Sequence, residues 1–510
     1  MPNSLKPRTR RIFNTLIAVM SLAGNTGIAL PESTVHIYQT TRQGDRLKEI
    51  DPEIDPSVTD YSLRLNPEET FQTLIGVGGS FTESAAQVLS ELSATQREIA
   101  LRLYFSPSGA QYSLTRTPIA SCDFSLNHYT YAPVPDDTAL AHFSIAPDRT
   151  YLLPMIQEAQ KIPGASFKIL ASPWTAPPWM KTNQTWNGGK LLPEHYPTFA
   201  RYIVRYLQTY RKEGIPIWGI TPTNEPMGND SNWESLHFTA SEMADWIANH
   251  LGPALEAGAP GTRIWAYDQN RGQHLEEWAD TLYANPQAAQ YVDGMAVHWY
   301  ESTLSIGAES LDAVHTRHPG KGLLHSEGCI DAIGDDEEIG SWLEDDWYWR
   351  KEATDWGYIW APEDQKANHP AYRPFYRYAR NLIGGLNHNL VGWIDWNLFL
   401  NTRGGPNHAR NFCLAPILVD SGRDSLYITP LYYAIAHVSK YIRPGAVRIG
   451  LHGHDDDLMA TAFRNPDGSI ALVAFNGLEE EITYEILLGS ETIPLRIPGQ
   501  ALQTIRISTP

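Results

Sequence analysis

Basic stretches, paired cysteines and long apolar runs are all scarce in this chain, and each shortage excludes something. The net charge is −19 over 510 residues, with no basic stripe to relieve it. Nucleic-acid phosphates would be repelled, so no nucleic-acid partner is expected. The three cysteines, Cys122, Cys329 and Cys413, stand far apart and are odd in number. They are expected as free, buried thiols and not as a zinc knuckle or a disulfide framework. No segment after the N-terminus is apolar enough to cross a bilayer, so no stable membrane insertion of the mature chain is expected. The glycine run Ile75-Gly76-Val77-Gly78-Gly79-Ser80-Phe81 lacks the ending of a phosphate loop and the full dinucleotide spacing. It is expected instead to let backbone pass close to a neighbour. The spacing of histidines and acids suggests no metal cluster. Ser326 has no elbow motif around it, and no organic cofactor is implied.

What is present begins with tryptophan and tyrosine, 16 and 25 of them. Such residues fill cores, and they also stack against the apolar faces of sugars. At the N-terminus a basic cluster (Lys6, Arg8, Arg10, Arg11) precedes the apolar run Ile12–Ala23. This reads as an export leader of faintly twin-arginine type spanning 1–30, giving a periplasmic or secreted protein; retention in the cytoplasm is the alternative.

Residues 31–70 alternate like strands. Strand-like runs then recur with helical stretches between them: Phe71–Gly78, Gln111–Ser121, Ser166–Trp174, Ile215–Thr221, Thr262–Asp268, Tyr291–Tyr300, Gly320–Glu327 and Leu390–Leu398. A helix starts near Thr82-Glu83, and others cover Tyr196–Lys212, Ser241–Leu251 and His274–Tyr283. About eight strands alternating with helices suggest a (β/α)8 barrel over 71–443, with its site at the strand C-terminal ends. The competitor, a doubly wound open sheet, would want a nucleotide-type loop. Strands return over 444–510, and a side β domain built from both chain ends is expected. Between the last two barrel strands lies a long segment rich in tryptophan (Trp342, Trp347, Trp349, Trp356, Trp360), a length that usually serves function.

The polar residues at the expected strand ends are Arg116, Asp123, Trp174, Asn224, Glu225, His298, Tyr300, Glu327, Asp395 and Trp396. His298 and His325 are expected as hydrogen-bonded strand-end residues. Two carboxylates, Glu225 and Glu327, end different strands amid aromatic and amide groups. That combination fits glycoside hydrolysis: one carboxyl protonates the leaving group, and the other, ionised, attacks or stabilises the anomeric carbon. Asn224 sits beside Glu225, placed for the sugar 2-hydroxyl.

The segments Arg116–Ser125, Ala171–Asn183, Thr221–Pro226, Ala296–Tyr300, His325–Cys329 and Gly392–Leu398 follow in one order. Together they resemble glycoside hydrolase family 30 of the glucosylceramidase (acid β-glucosidase) type, in a bacterial form, from about Phe71 to the C-terminus. The resemblance implies a (β/α)8 TIM barrel, a side β-sandwich domain formed from N- and C-terminal strands, and retaining cleavage of terminal β-linked glucosyl groups. By position Glu225 resembles the acid/base and Glu327 the nucleophile. Asp123, Trp174, Asn224 and Trp396 resemble sugar-binding residues; Arg116, His298, Tyr300 and Asn411 resemble their partners. The substrate is then a β-glycoside, glycolipid or oligosaccharide. β-1,6-Glucanase, β-xylosidase and β-fucosidase activities are alternatives within the family, and a non-catalytic carbohydrate-binding protein is the alternative outside it. The segment Glu344–Phe375 is longer than in the human-type members and is expected to overlook the leaving-group side. Oligomeric state is not legible.

Overall fold

The computed structural model describes residues 34–52, 59–228, 232–331, 333, 340–358 and 361–508. The expected leader and Trp360 lie outside the described residues. Eight parallel strands close into a barrel: Gly76–Ser80, Leu114–Ile119, Lys168–Pro173, Gly219–Ile220, Arg263–Asn270, Val292–His298, Gly322–Glu327 and Leu390–Asn397. Their runs are mostly buried, as strands with both faces covered must be. Leu114, Leu170, Trp265, Ala296, Leu324 and Ile394 plug the barrel interior. No helix among the described residues is long and apolar enough to cross a membrane.

Two strands differ from the expected ones. Phe71 belongs to the side sheet, in the strand Tyr61–Thr73; the barrel's first strand starts at Gly76. The run that leads to Glu225 pairs only at Gly219–Ile220, although Ile215 and Ile217 are buried. Pro216, second in that run, has no N–H to give a ladder. The helix expected at Ser241–Leu251 is an α-helix only to Trp246, with a π-helical turn over Ile247–Leu251.

The glycine run is the first strand. A Cβ on Gly78 would stand 1.9 Å from the Leu114 carbonyl oxygen. That neighbour is backbone and cannot step aside, so Gly78→Ala is expected to destabilise the fold by about 1–3 kcal/mol or more. A urea midpoint equal to wild type would contradict this.

Both chain ends build the side domain. Thr34–Thr40 pairs antiparallel with Leu502–Ser508, and Tyr61–Thr73 lies between Val447–His452 and Ile482–Leu488 in a nine-stranded sheet. It has its own core, including Ile37, Leu63, Leu472, Tyr484 and Ile505.

The described part of the tryptophan-rich segment contacts both the barrel and the side domain. Trp342, Trp347 and Trp349 are buried. Trp342 donates to the Thr402 carbonyl at 2.9 Å and Trp349 to that of Gln500 at 3.0 Å. Asp345 and Asp346 pair with Arg46 and Arg42. Trp342 thereby ties the segment to the loop after the eighth strand, and Trp349 ties it to the side domain. Farther on, Asn368 and Pro370 accept hydrogen bonds from Ser302 and Thr303, just past the C-terminal end of the sixth strand.

Candidate active site

One arginine organises the strand ends. Arg116, on the second strand, is fully buried, and each of its side-chain nitrogens donates. It gives hydrogen bonds to Ser172 Oγ at 3.0 Å, to Asn224 Oδ1 at 2.8 Å and to Asp268 Oδ2 at 2.7 Å, and it pairs with Glu327. Its guanidinium lies 4.8 Å from the Trp174 ring and 5.5 Å from Trp396. Those two rings stack at 5.3 Å, so they form a rigid aromatic floor. Because Arg116 occupies the Asn224 oxygen, the amide NH2 remains as a donor.

Asp268, near the end of the fifth strand, is not among the residues expected in the site, yet it is the hub of it. Besides Arg116 it accepts from Thr221 Oγ1 at 2.7 Å and Ser326 Oγ at 2.6 Å, and its Oδ1 lies 2.9 Å from His298 Nε2. Burial would raise its carboxyl, but Arg116, His298 and Ser326 hold it well below the usual carboxylate range. The sequence does carry a signal for it: Asp268 breaks an apolar strand near its end, as Glu327 does, and as Glu225 follows one.

His298, at the end of the sixth strand, bridges two acids, with Nδ1 3.1 Å from Glu225 Oε1. Burial alone would lower its pKa; the charge of Glu327 and the contacts with Asp268 and Glu225 overcome that and raise it to about 9. A histidine raised on folding contributes stability that is complete below its unfolded value, near 6.5, and is lost as pH rises through about 9. His298→Gln is therefore expected to flatten the loss of stability across that window, removing roughly 3 kcal/mol. Urea unfolding of both proteins at several pH values checks this, and parallel curves would contradict it. His325 is not the hydrogen-bonded residue expected. It stacks on Trp393 at 3.6 Å, neither ring nitrogen has a hydrogen-bond partner, and burial drives its pKa well down.

Glu225 and Glu327 meet across the barrel mouth, with one carboxylate oxygen of each and one His298 nitrogen all within 4.8 Å of one another. Glu225 lies five residues past the short fourth strand in a left-handed conformation, φ +44°. Its N–H donates to the Asp268 carbonyl at 2.9 Å, which pins the turn. Glu327 is the last residue of the seventh strand and accepts from Tyr300 Oη at 3.2 Å. Burial pushes the Glu327 carboxyl above the ordinary glutamate value; His298 and Arg116 oppose that push, while Glu225 adds to it. Side-chain exposure separates the two acids: 21% for Glu225 and 9% for Glu327.

Asp123 stands on the other side with Asn411, whose Nδ2 donates to Asp123 Oδ2 at 3.0 Å. The other oxygen, Oδ1, is buried without a partner. Burial, and after it the charge of Glu327, raises this carboxyl to about 8. Asp395, also at a strand end, is structural: Tyr378 donates to both its oxygens, at 3.0 and 3.2 Å. Two surface cavities, of about 430 and 340 Å³, are lined by residues including Arg263 and Asp293 at the opposite, N-terminal end of the barrel, away from the carboxylates.

The model of the "Glycosyl hydrolase family 30 TIM-barrel domain" matches residues 74–357 and 352–442, and that of the "Glycosyl hydrolase family 30 beta sandwich domain" matches 445–505. The chain is 34% identical over 474 residues to the lysosomal acid glucosylceramidase of Mus musculus, covering 90% of this chain and 86% of that one. Its fold is similar to the crystal structure of SrfJ from Salmonella typhimurium, with a TM-score of 0.81 and 30% identity, covering 93% of this chain and 99% of that one. It is also similar to the endo-β1,6-glucanase BT3312, with a TM-score of 0.77 and 29% identity over 92% and 98% of the two chains. The barrel and the side domain are thus both accounted for by one lineage of enzymes, and this chain belongs to glycosyl hydrolase family 30 as a glycoside hydrolase.

Proposed function

We propose that the protein is a retaining β-glucosidase of glucosylceramidase type, which removes a terminal β-glucosyl group by double displacement. The observation that carries this is the close approach of Glu225 and Glu327, with oxygens within 4.8 Å. Retaining enzymes hold their carboxyl groups roughly 5–5.5 Å apart; inverting enzymes leave about 6.5–9.5 Å for a water. Glu327 is the nucleophile, because the permanently charged Arg116 touches it and favours its ionised form. Glu225, more exposed and beside His298, is the acid and then the base.

Asn224 donates to the 2-hydroxyl through the NH2 that Arg116 leaves open. Asp123 and Asn411 take hydroxyls on the far side of the ring, with Trp174 and Trp396 beneath it. A buried oxygen without a partner, such as Asp123 Oδ1, is where a sugar hydroxyl gains most. Asp123→Asn is expected to lower kcat/KM by roughly 10- to 100-fold, the cost of leaving a buried polar group mispaired. Steady-state kinetics on an aryl β-glucoside check it, and an unchanged value would remove Asp123 from the sugar site.

A lipid aglycone is favoured by the mouse relative's name and by two exposed apolar residues near the site in sequence, Met227 and Leu304. The second reading, β-1,6-glucan cleavage, is favoured by the likeness to BT3312. Glucosylceramide, β-1,6-glucan and a panel of aryl β-glycosides, assayed side by side, separate them. Faster turnover of β-1,6-glucan than of any terminal glucoside would overturn the first reading. The basic cluster Lys6–Arg11 and the apolar run after it favour export, and a native mature chain beginning at Met1 would contradict that.

A further inference from the structure

Three loops at the C-terminal end of the barrel carry ionisable side chains that glycoside cleavage leaves unused. His128 follows the second strand, Glu234 the fourth and His408 the eighth. Far apart in sequence, they converge: one ligand atom from each lies within 4.8 Å of the other two. His128 Nδ1 is 2.8 Å from Glu234 Oε1, and His408 Nε2 is 3.2 Å from Glu234 Oε2. Sequence spacing, which suggests no metal cluster, hides these three, because the fold supplies their proximity.

We propose that this His–Glu–His cluster is a binding site for a divalent transition metal, zinc by preference. Two imidazoles and a carboxylate are the donor set of a three-ligand zinc site with its fourth position open. Bonds of about 2.0–2.2 Å place tetrahedral ligands roughly 3.3 Å from one another. The two contacts with Glu234, at 2.8 and 3.2 Å, are already close to that spacing. The surroundings suit a built site. The Glu234 side chain is 0% exposed, so its carboxylate is held in place; the His128 side chain, 35% exposed, leaves an entry path. His128 lies flat on Trp186 at 5.3 Å, which fixes its ring. His408 Nε2 also lies 3.1 Å from the Cys122 carbonyl, an acceptor, so zinc binding would displace the proton that this nitrogen donates. Cys122 precedes Asp123, so the metal would tie three loops together at the edge of the cleft. This site is independent of the choice of sugar substrate.

The test is zinc titration by calorimetry on the chelator-treated full-length protein, with His128→Asn, His408→Asn and Glu234→Gln in parallel. Wild type is expected to take up one zinc per chain, and each variant to bind at least about tenfold more weakly. Cobalt(II) alone should give the visible absorption of a tetrahedral site in wild type and lose it in the variants. His128→Asn alters a partly exposed side chain, and its metal-free melting temperature reports whether the fold is intact. Should Glu234→Gln fail to fold, the two histidine variants and the cobalt spectrum decide. No saturable zinc uptake by wild type, or equal affinity in both histidine variants, would overturn the proposal.

Discussion

Glu327→Gln loses turnover of an aryl β-glucoside by on the order of 10⁵-fold or more, the scale on which removing a nucleophile from a covalent mechanism acts. The substitution is nearly isosteric. Its amide oxygen can still accept from Arg116, its NH2 faces the Tyr300 hydroxyl, which can turn to accept, and Arg116 keeps Asp268 as its charged partner. The loss should therefore fall on kcat, with the melting temperature little changed. What disappears is the attacking lone pair, because an amide oxygen does not displace an alkoxide at an anomeric centre. Glu327→Gly opens the space instead. With azide present it is expected to recover activity and to release a glycosyl azide of inverted configuration, since azide enters where the carboxylate stood. An unimpaired Glu327→Gln would remove this residue from the chemistry.

Glu225→Gln should show a different signature, set by the leaving group. The acid is needed most when the departing oxygen is basic, so alkyl glucosides and glucosylceramide are expected to slow by roughly 10²- to 10⁴-fold. A dinitrophenyl glucoside leaves without a proton, so its first step should survive. The second step also wants Glu225, now as the base for water. The glycosyl-enzyme should therefore accumulate, giving a burst of phenol stoichiometric with enzyme followed by slow turnover. Azide needs no base and should relieve that block, giving a glycosyl azide of retained configuration. The same loss for every leaving group, without a burst, would contradict the assignment. The pair of variants also separates the two roles, since azide products of opposite configuration have no common explanation in a misfolded site.

Much of this site is legible in the amino-acid sequence. Glu225, Glu327, Arg116, Asn224 and His298 sit on or just beyond barrel strands, where apolar runs break into polar residues, and the barrel brings all five together. Strand edges are legible only in part. Pro216 shortens the fourth barrel strand by removing a donor, and Phe71 alternates as well with the side sheet as with the barrel. Asp268 is easily passed over, because a single acid after an aromatic strand gives no hint of how many partners will gather on it. The tryptophan-rich segment is ambiguous for a related reason. Tryptophan marks a sugar platform and a domain joint alike, and only the contacts of Trp342 and Trp349 tell them apart. His128, Glu234 and His408 carry no local pattern, because their proximity is made entirely by the ends of three distant strands.

Two displacements, one by Glu327 and one by water under Glu225, must together preserve the configuration at the anomeric carbon. Proton NMR of a methyl or aryl β-glucoside digest, recorded in the first minutes before mutarotation, reads that outcome without any variant. β-Glucose is expected to appear first, with the α anomer growing in later; α-glucose as the first product would contradict the double displacement.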